Sequence, residues 1–529
     1  MSFDPRAPVL VGAGQILQRS SPDSAARGED ESGHPLREPL ELMEQAARRA
    51  ADDADCPALL AELDSVRVPR GMWPYPNPAH TLGELFGSAG AETALAPVSG
   101  NMVQRMLTDA AREIVAGRRD AVLLVGGEAE QSKRRAKRAG RELAWAGAGA
   151  WAGVPAPDRD FDEGGRWILR EEIEAGLGQP AAIFTLYENA RRHARGEGLD
   201  ENRDRIARLW HGLARVAEKN PFAWTREAPS AETIRDEAPD NKMTAYPYTK
   251  RLCANMVVDL GAAVIVCSAE RAGRLGIPRD RWVFLQTATD CMATPPMSHR
   301  MDFLRVPALE QAGRRVLELS GREPADFAHV DLYSCFPAAV QVSAEALGFG
   351  LEESPTVTGG LAYSGGPFNS YVLHAIATAM TRLRESPGDL AFVSSVGGSF
   401  SKHAFGIYGT EPAAEGFRYA DLDAEVAGLP QRALAPEHDG PATVETYSLR
   451  YEDGVPSVAS FSCLLDDGRR IWARSEDPDL LAEMLTSETC GREARLKGGA
   501  LVGFQSAAVA SRHAEEGVPC RDRSKGSRS

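Results

Sequence analysis

Apolar residues recur at helical spacing in two stretches of this chain, and each stretch runs on into an unbroken apolar strand. Residues 98–127 read VSGNMVQRMLTDAAREIVAGRRDAVLLVGG, and residues 363–398 read YSGGPFNSYVLHAIATAMTRLRESPGDLAFVSSVGG. Met102, Met106, Ala110 and Ile114 fall on one helical face in the first; Val372, Ile376, Met380 and Leu383 do so in the second. The runs AVLLV (121–125) and LAFVSSV (390–396) lack polar alternation, as strands covered on both faces do. Each stretch opens on a Ser-Gly turn and closes on Gly-Gly, so the pair reads as an internal repeat. Ahead of each lies a second matching segment, AELDSVRVPRGM (61–72) and FAHVDLYSCFP (327–337), expected to place an Asp before an apolar strand.

The repeat predicts an α/β protein with two related halves, residues 1–130 plus 246–275 and residues 276–412, wired by crossover helices between parallel strands. The repeated helix N-termini would converge where the halves meet and would favour developing negative charge there. Residues 131–245 read as an insertion rich in Arg, Trp and Pro. Beyond 412 the pattern alternates, and Asp453-Gly454 and Asp467-Gly468 are hairpin signals. A short amphipathic helix is expected at 477–488. Residues 413–500 therefore read as a small β-rich, OB-like domain, and 501–529 as a disordered tail.

A chain of 529 residues exceeds what one core usually organises, in keeping with several units. The net charge of −15 argues against nucleic acid as a partner, because phosphate binding needs a basic face. A local cluster can still hold a phosphorylated ligand on an acidic protein. Arg134, Arg135 and Lys137 are candidates for that role, the alternative being a solvated helix face. The eight cysteines are scattered with no CxxC pair, and no His/Cys/Asp/Glu cluster has metal-ligand spacing, so neither a disulfide framework nor a metal is expected. No signal peptide and no ~18-residue apolar run is evident, which predicts a reduced, soluble, cytoplasmic protein without membrane insertion. Gly12-Ala13-Gly14 begins like a dinucleotide turn, but the third glycine position is Leu17 and no nicotinamide cofactor is expected.

With these patterns in place, residues 5–412 resemble the thiolase superfamily, through SGNMVQ…AREIVAG…GGEAE, DLYSCF, GGLAYSGGP and SSVGGS. NPFAWTR (220–226), DNKMTAYPYTKRLCANMVVDLGAA (240–263) and SKHAFGIYG (401–409), with the added β-domain, look like the actinobacterial thiolase-like proteins of type 1, often labelled acetyl-CoA acetyltransferases. The resemblance implies a pair of βαβαβαββ halves with an inserted loop domain, a coenzyme A thioester as substrate or ligand, no tightly bound cofactor, a place in lipid metabolism, and a monomer or homodimer.

Carried over position by position, the family's catalytic set is absent. Gly100 or Asn101, beside Ser99, stands where the nucleophilic Cys belongs, and Gly366 of Gly365-Gly366-Pro367 stands where the His belongs. Ser395 matches the second Cys, and Tyr333 matches the Asn or His of the oxyanion hole. Losing a nucleophile or its base costs several orders of magnitude, so ordinary thiolysis is not expected. Tyr333, His403 and Ser395 remain as candidate catalytic groups, and Ser99, Asn101, Gly366, Pro367 and Asn369 as substrate contacts, with Tyr363 a weaker one. Cys335 is expected to be a core residue turned away from Tyr333 by strand alternation. Three functions follow: an acyl-CoA-processing enzyme with replaced residues, a 3-hydroxyacyl-CoA retro-aldol lyase using Tyr333, or a non-catalytic acyl-CoA binder. The lyases of the superfamily work with an OB-fold partner, which the β-domain here resembles.

Overall fold

The computed structural model describes residues 4–505 other than 144, 147, 163 and 165. Residues 1–3, part of the N-terminus read as lacking a signal segment, lie outside the described residues, as does 506–529, most of the expected tail. Residues 501–504, also assigned to that tail, instead belong to the strand Ala500–Phe504, whose backbone pairs with Glu493–Lys497.

The two repeated helices are Met102–Val115 and Tyr371–Glu385, and the four apolar residues sharing a face in each are fully buried. They pack on an eleven-stranded sheet. Ten of its strands follow in the order His329–Asp331, Leu390–Gly397, Lys402–Gly409, Val283–Cys291, Pro8–Leu17, Asp259–Ser268, Ala121–Ala129, Ser65–Pro69, Glu92–Ala96, Arg159–Asp160, and the eleventh, Arg418–Asp421, pairs beside Val283–Cys291. The repeat is visible in the pairing. Ser65–Pro69 runs parallel to Ala121–Ala129, which runs antiparallel to Asp259–Ser268. His329–Asp331 runs parallel to Leu390–Gly397, which runs antiparallel to Lys402–Gly409. Every residue of Ala121–Ala129 and Leu390–Gly397 is buried, as the unbroken apolar runs require. The aspartates differ between halves. Asp64 precedes its strand and caps the amides of Asp120 and Ala121, whereas Asp331 ends its strand and accepts from Thr356, Val357 and Tyr371.

Gly12 and Gly14 sit inside the strand Pro8–Leu17, not in a phosphate-binding turn. A Cβ at either would stand 2.0 Å from a carbonyl of the helix Pro39–Asp53, that of Ala50 or Ala46, so glycine lets helix and sheet approach. At the far edge, Arg159–Asp160 pairs parallel to Glu92–Ala96, and the Asp158 carboxylate accepts from the Thr93 amide and hydroxyl, each at 2.8 Å.

A second sheet of seven strands contains a closed barrel of Gly440–Glu452, Val455–Leu464, Arg470–Ser475, Ala500–Phe504 and Glu493–Lys497. Asp453 and Gly454 both have positive φ, 51° and 88°, as a two-residue hairpin turn demands. The helix read at 477–488 spans only Pro478–Glu483, because the Thr486 and Ser487 hydroxyls donate to the Glu483 carbonyl. Two segments sit outside their expected units. Arg418–Asp421, read with the β-rich domain, pairs with Val283–Cys291 in the large sheet. Met243–Tyr246 and Tyr248–Thr249, at the end of the insertion and beyond it, join the barrel sheet through Leu449 and Arg450. The remaining insertion packs the helix Pro180–Ala194 on the barrel, where Arg192 forks onto Glu488 at 2.7 Å through both terminal nitrogens. Among the described residues no helix is long and apolar enough to cross a membrane.

Candidate functional site

Where the two Ser-Gly turns meet the insertion lies a cavity of roughly 1210 Å³. Leu95, Ile183, Phe184, Phe336, Leu361 and Phe368 make its walls largely apolar. Of the residues singled out in the sequence, Ser99, Gly100, Tyr333, Gly366 and Asn369 line it.

Tyr333 and Gly100 face one another. A Cβ built on Gly100 would lie 2.5 Å from the Tyr333 hydroxyl and 2.4 Å from the Val396 carbonyl oxygen. The phenol therefore occupies the space next to the helix N-terminus that a side chain at position 100 would need. The Tyr333 amide donates to Ser394 Oγ at 2.9 Å, and its ring meets Tyr371 edge-on at 5.7 Å. Burial pushes the phenol well above its usual range, so it stays protonated. Among the described residues no group hydrogen-bonds its hydroxyl, which leaves that donor for whatever enters the cavity.

Asn101 turns the other way: it is fully buried, accepts from Ser99 Oγ at 2.6 Å, and donates to the Met292 sulfur at 3.0 Å. Gly366 presents backbone to the cavity, and a Cβ there would meet nothing closer than 3.4 Å. Asn369 is held by its donation to the Arg70 carbonyl at 2.6 Å. Pro367 lies off the wall, its carbonyl accepting from Ser370.

The other candidates lie apart from the cavity. Ser395 is buried and donates to the Ala404 carbonyl at 2.8 Å. His403 is fully buried with Nε2 on the Phe400 carbonyl at 3.0 Å, and burial pushes its imidazole down to about 3. A neutral, desolvated imidazole of that basicity is a poor proton acceptor at neutral pH. Arg134 pairs with Glu130, Arg135 contacts Ser20 Oγ at 3.4 Å, and Lys137 is exposed on the same helix, Glu130–Arg138; none of the three lines the cavity.

Cys335 corrects an expectation. It lines the cavity together with Tyr333: the strand ends at Asp331, so both residues lie beyond it and strand alternation does not apply to them. Cys253 lines it too, donating to the Thr249 carbonyl at 3.4 Å; burial pushes its thiol up to about 12 and that of Cys335 higher still, so neither is a thiolate. Sequence reasoning passed over Lys402, Ser399 and Trp167, which also line the cavity. Lys402 was legible, since a buried lysine inside the apolar strand segment SKHAFGIYG is unusual. Among the described residues no group of His, Cys, Asp and Glu could hold a metal ion.

Comparison with known proteins places these features. Residues 421–498 match the family model of the thiolase-like protein type 1 additional C-terminal domain. The chain is 30% identical to a monomeric SCP2-thiolase-like protein type 1 from Mycobacterium smegmatis, over 93% of this chain and 97% of that one, with a TM-score of 0.75. More distant structures share the fold alone. A chain of the Ltp2-ChsH2(DUF35) aldolase is 19% identical over 77% of this chain and 98% of its own, with a TM-score of 0.55. The dimeric peroxisomal thiolase of Saccharomyces cerevisiae is 15% identical over 78% and 99%, with a TM-score of 0.51. No curated protein matches in sequence.

Proposed function

We propose, from the premise that this chain belongs to the SCP2-thiolase-like proteins of type 1 within the thiolase superfamily, that its cavity takes an acyl-coenzyme A thioester and that Tyr333, not a thiol, meets the thioester oxygen. The observation that carries the reading is the Tyr333 hydroxyl filling the space beside Gly100. A neutral phenol in a largely apolar cavity is a strong hydrogen-bond donor to an oxygen that gains negative charge. That is the demand of retro-aldol cleavage of a 3-hydroxyacyl thioester. The β-hydroxyl passes its proton to water, the Cα–Cβ bond breaks to release a carbonyl compound, and the electron pair passes to the thioester as an enolate held by Tyr333. The enolate carbon then takes a proton, so the sum needs no oxidant, reductant or second substrate. The aldolase of like fold is in keeping with this chemistry.

Binding without turnover is the second reading. It is favoured by the lack, among the described residues, of a base hydrogen-bonded to the phenol.

Mass spectrometry of the purified protein with free CoA, acetyl-CoA, acetoacetyl-CoA and several 3-hydroxyacyl-CoAs tests both. Cleavage of the 3-hydroxyacyl esters alone, lost by about 10²–10³-fold in Tyr333→Phe with retention of the ester unchanged, is the expected result. Retention without products selects the binder, and thiolysis of acetoacetyl-CoA refutes both.

A further inference from the structure

We infer that the C-terminal barrel braces the cavity wall from behind, and that Arg470 is the positioning residue through which it holds the turn at 398–401. Arg470 is fully buried. Its Nε and Nη2 fork onto the Glu445 carboxylate, both at 2.8 Å, within the barrel. Its Nη1 leaves the barrel and donates to three carbonyls of one loop of the core: Met297 and Ser298 at 3.0 Å and Arg300 at 2.6 Å. The guanidinium also lies 4.8 Å from the centre of the Phe303 ring. Only arginine has donors enough, in a fixed plane, to serve a carboxylate fork and a carbonyl cluster together.

From that loop the contacts continue to the cavity. Arg300, itself buried, donates through Nη1 to the carbonyl of Ser399 and to the Tyr187 hydroxyl, and through Nε to the Pro295 carbonyl at 2.9 Å. Ser399 lines the cavity. The Tyr187 ring packs edge-on against Phe400 at 4.9 Å, and Phe400 lies 5.0 Å from Phe184 of the cavity wall. Phe400 has φ 57°, a conformation that a bulky side chain holds only when its surroundings enforce it. A second line of contacts reaches the same turn. Trp472 of the barrel donates to Ser298 Oγ at 2.8 Å, and Ser298 donates to Glu172 through its hydroxyl at 2.7 Å and its amide at 2.8 Å. The other Glu172 oxygen takes the amide of Leu169 at 2.9 Å, two residues from Trp167. Trp167 closes over Gly398 so tightly that a Cβ there would lie 2.7 Å from its own. The barrel thus grips the turn from two sides, and a left-handed phenylalanine is the cost.

The test is hydrogen exchange of the full chain, read peptide by peptide, in Arg470→Lys and in Arg495→Lys, an exposed residue of the same barrel. Lysine keeps the charge and loses the fork. Faster exchange across 297–303 and 397–402, with Val455–Leu464 as protected as before and Arg495→Lys unchanged, is expected. Unchanged exchange at 397–402 overturns the inference. Should Arg470→Lys loosen the barrel strands as well, Trp472→Phe, which removes the Ser298 hydrogen bond and keeps an aromatic ring beside Phe303, decides: acceleration at 397–402 over an intact barrel supports the grip, and its absence refutes it. In taking this cavity as the working site the inference rests on the reading above, and retention of acyl-CoA esters follows separately. A fall of about tenfold to a hundredfold in Arg470→Lys is expected where the wild type retains an ester. If the wild type retains none, the functional reading fails while the exchange result still tests the grip.

Discussion

Gly100→Ala adds one methyl group at the most sensitive point of the cavity. Gly100 does not have a positive φ, so alanine meets no backbone penalty and the whole effect is packing. The methyl would sit 2.4 Å from the Val396 carbonyl oxygen, 2.5 Å from the Tyr333 hydroxyl and 2.9 Å from the ring carbon bearing it, all inside the 3.0 Å that real Cβ atoms respect. Val396 is paired to His403 within the sheet and yields little; the phenol is the part that can move, and it moves into the cavity. Overpacking of this kind costs about 1–3 kcal/mol. Displacing a positioned donor by about an ångström costs on the order of 10² in rate. Scanning fluorimetry and cleavage of the preferred 3-hydroxyacyl-CoA are the assays, with Gly273→Ala, on the exposed face of the helix Ala269–Arg274, as the control because a Cβ there meets nothing within 4 Å. A lower melting temperature and a loss of turnover approaching that of Tyr333→Phe are expected for Gly100→Ala, and neither for the control. Because both residues act on one hydroxyl, the losses in Gly100→Ala/Tyr333→Phe should fall short of additive in rate. Wild-type stability and turnover in Gly100→Ala would mean that the phenol does not stand where this reasoning needs it.

Three further outcomes follow from the same structure. Glu128 is buried against the Met72 amide at 2.9 Å, and burial pushes its carboxyl up from 4.5 to about 7. A raised carboxyl costs stability as pH climbs through that window, since the folded state must give up a proton that the unfolded state has already lost. At 1.36 kcal/mol per pH unit the ceiling is about 3 kcal/mol, so Glu128→Gln should match the wild type near pH 4.5 and melt higher at pH 8; equal melting at both refutes it. His403→Gln should leave the pH profile of turnover unchanged between pH 5 and 7, because burial pushes the imidazole down to about 3 and it lies off the cavity; a lost inflection there would restore His403 as a base. Sedimentation should show a monomer, since Arg159–Asp160 and the Asp158 carboxylate occupy the exposed edge of Glu92–Ala96; a stable dimer would contradict that capping.

Much of the fold was legible because burial leaves a trace in one dimension. The strands 121–129 and 390–397 are covered on both faces and so carry unbroken apolar runs, and the hairpin at 453–454 needs two residues of positive φ and has Asp-Gly. What escaped was pairing across the chain. Arg418–Asp421 is a half-buried strand of four residues whose partner lies about 130 positions earlier, and no local pattern announces that. Gly12 and Gly14 look alike as a nucleotide turn or as a close-packing strand until the helix carbonyls above them are located. At the site, position-matching found Tyr333, Gly100 and Gly366, but it ranked His403 and Ser395 by residue type, and type does not report that Ser395 Oγ and His403 Nε2 are turned to backbone carbonyls away from the cavity. The aromatic wall was missed for the opposite reason: Phe184 and Trp167 come from the insertion, and only tertiary folding brings them over the core.

The replaced residues at the cavity are physically unequal, and the inequality bears on what this protein has become. Gly366 leaves room for a Cβ, which would find ordinary contacts at 3.4 Å and beyond. Gly100 leaves none. Removing the Tyr333 side chain would free the space now taken by its hydroxyl, yet the Val396 carbonyl would still stand 2.4 Å from any Cβ at position 100. The backbone of the strand Leu390–Gly397 therefore approaches the helix N-terminus to a separation that only glycine permits. Rebuilding a thiol site with Gly100→Cys, Gly366→His and Tyr333→Asn together would still require that strand end to withdraw, and the strand end is pinned by Val396 to His403 on one side and by the turn at 398–401 on the other. The phenol and the Val396 carbonyl together fill the space beside Gly100, as expected of a site shaped around Tyr333.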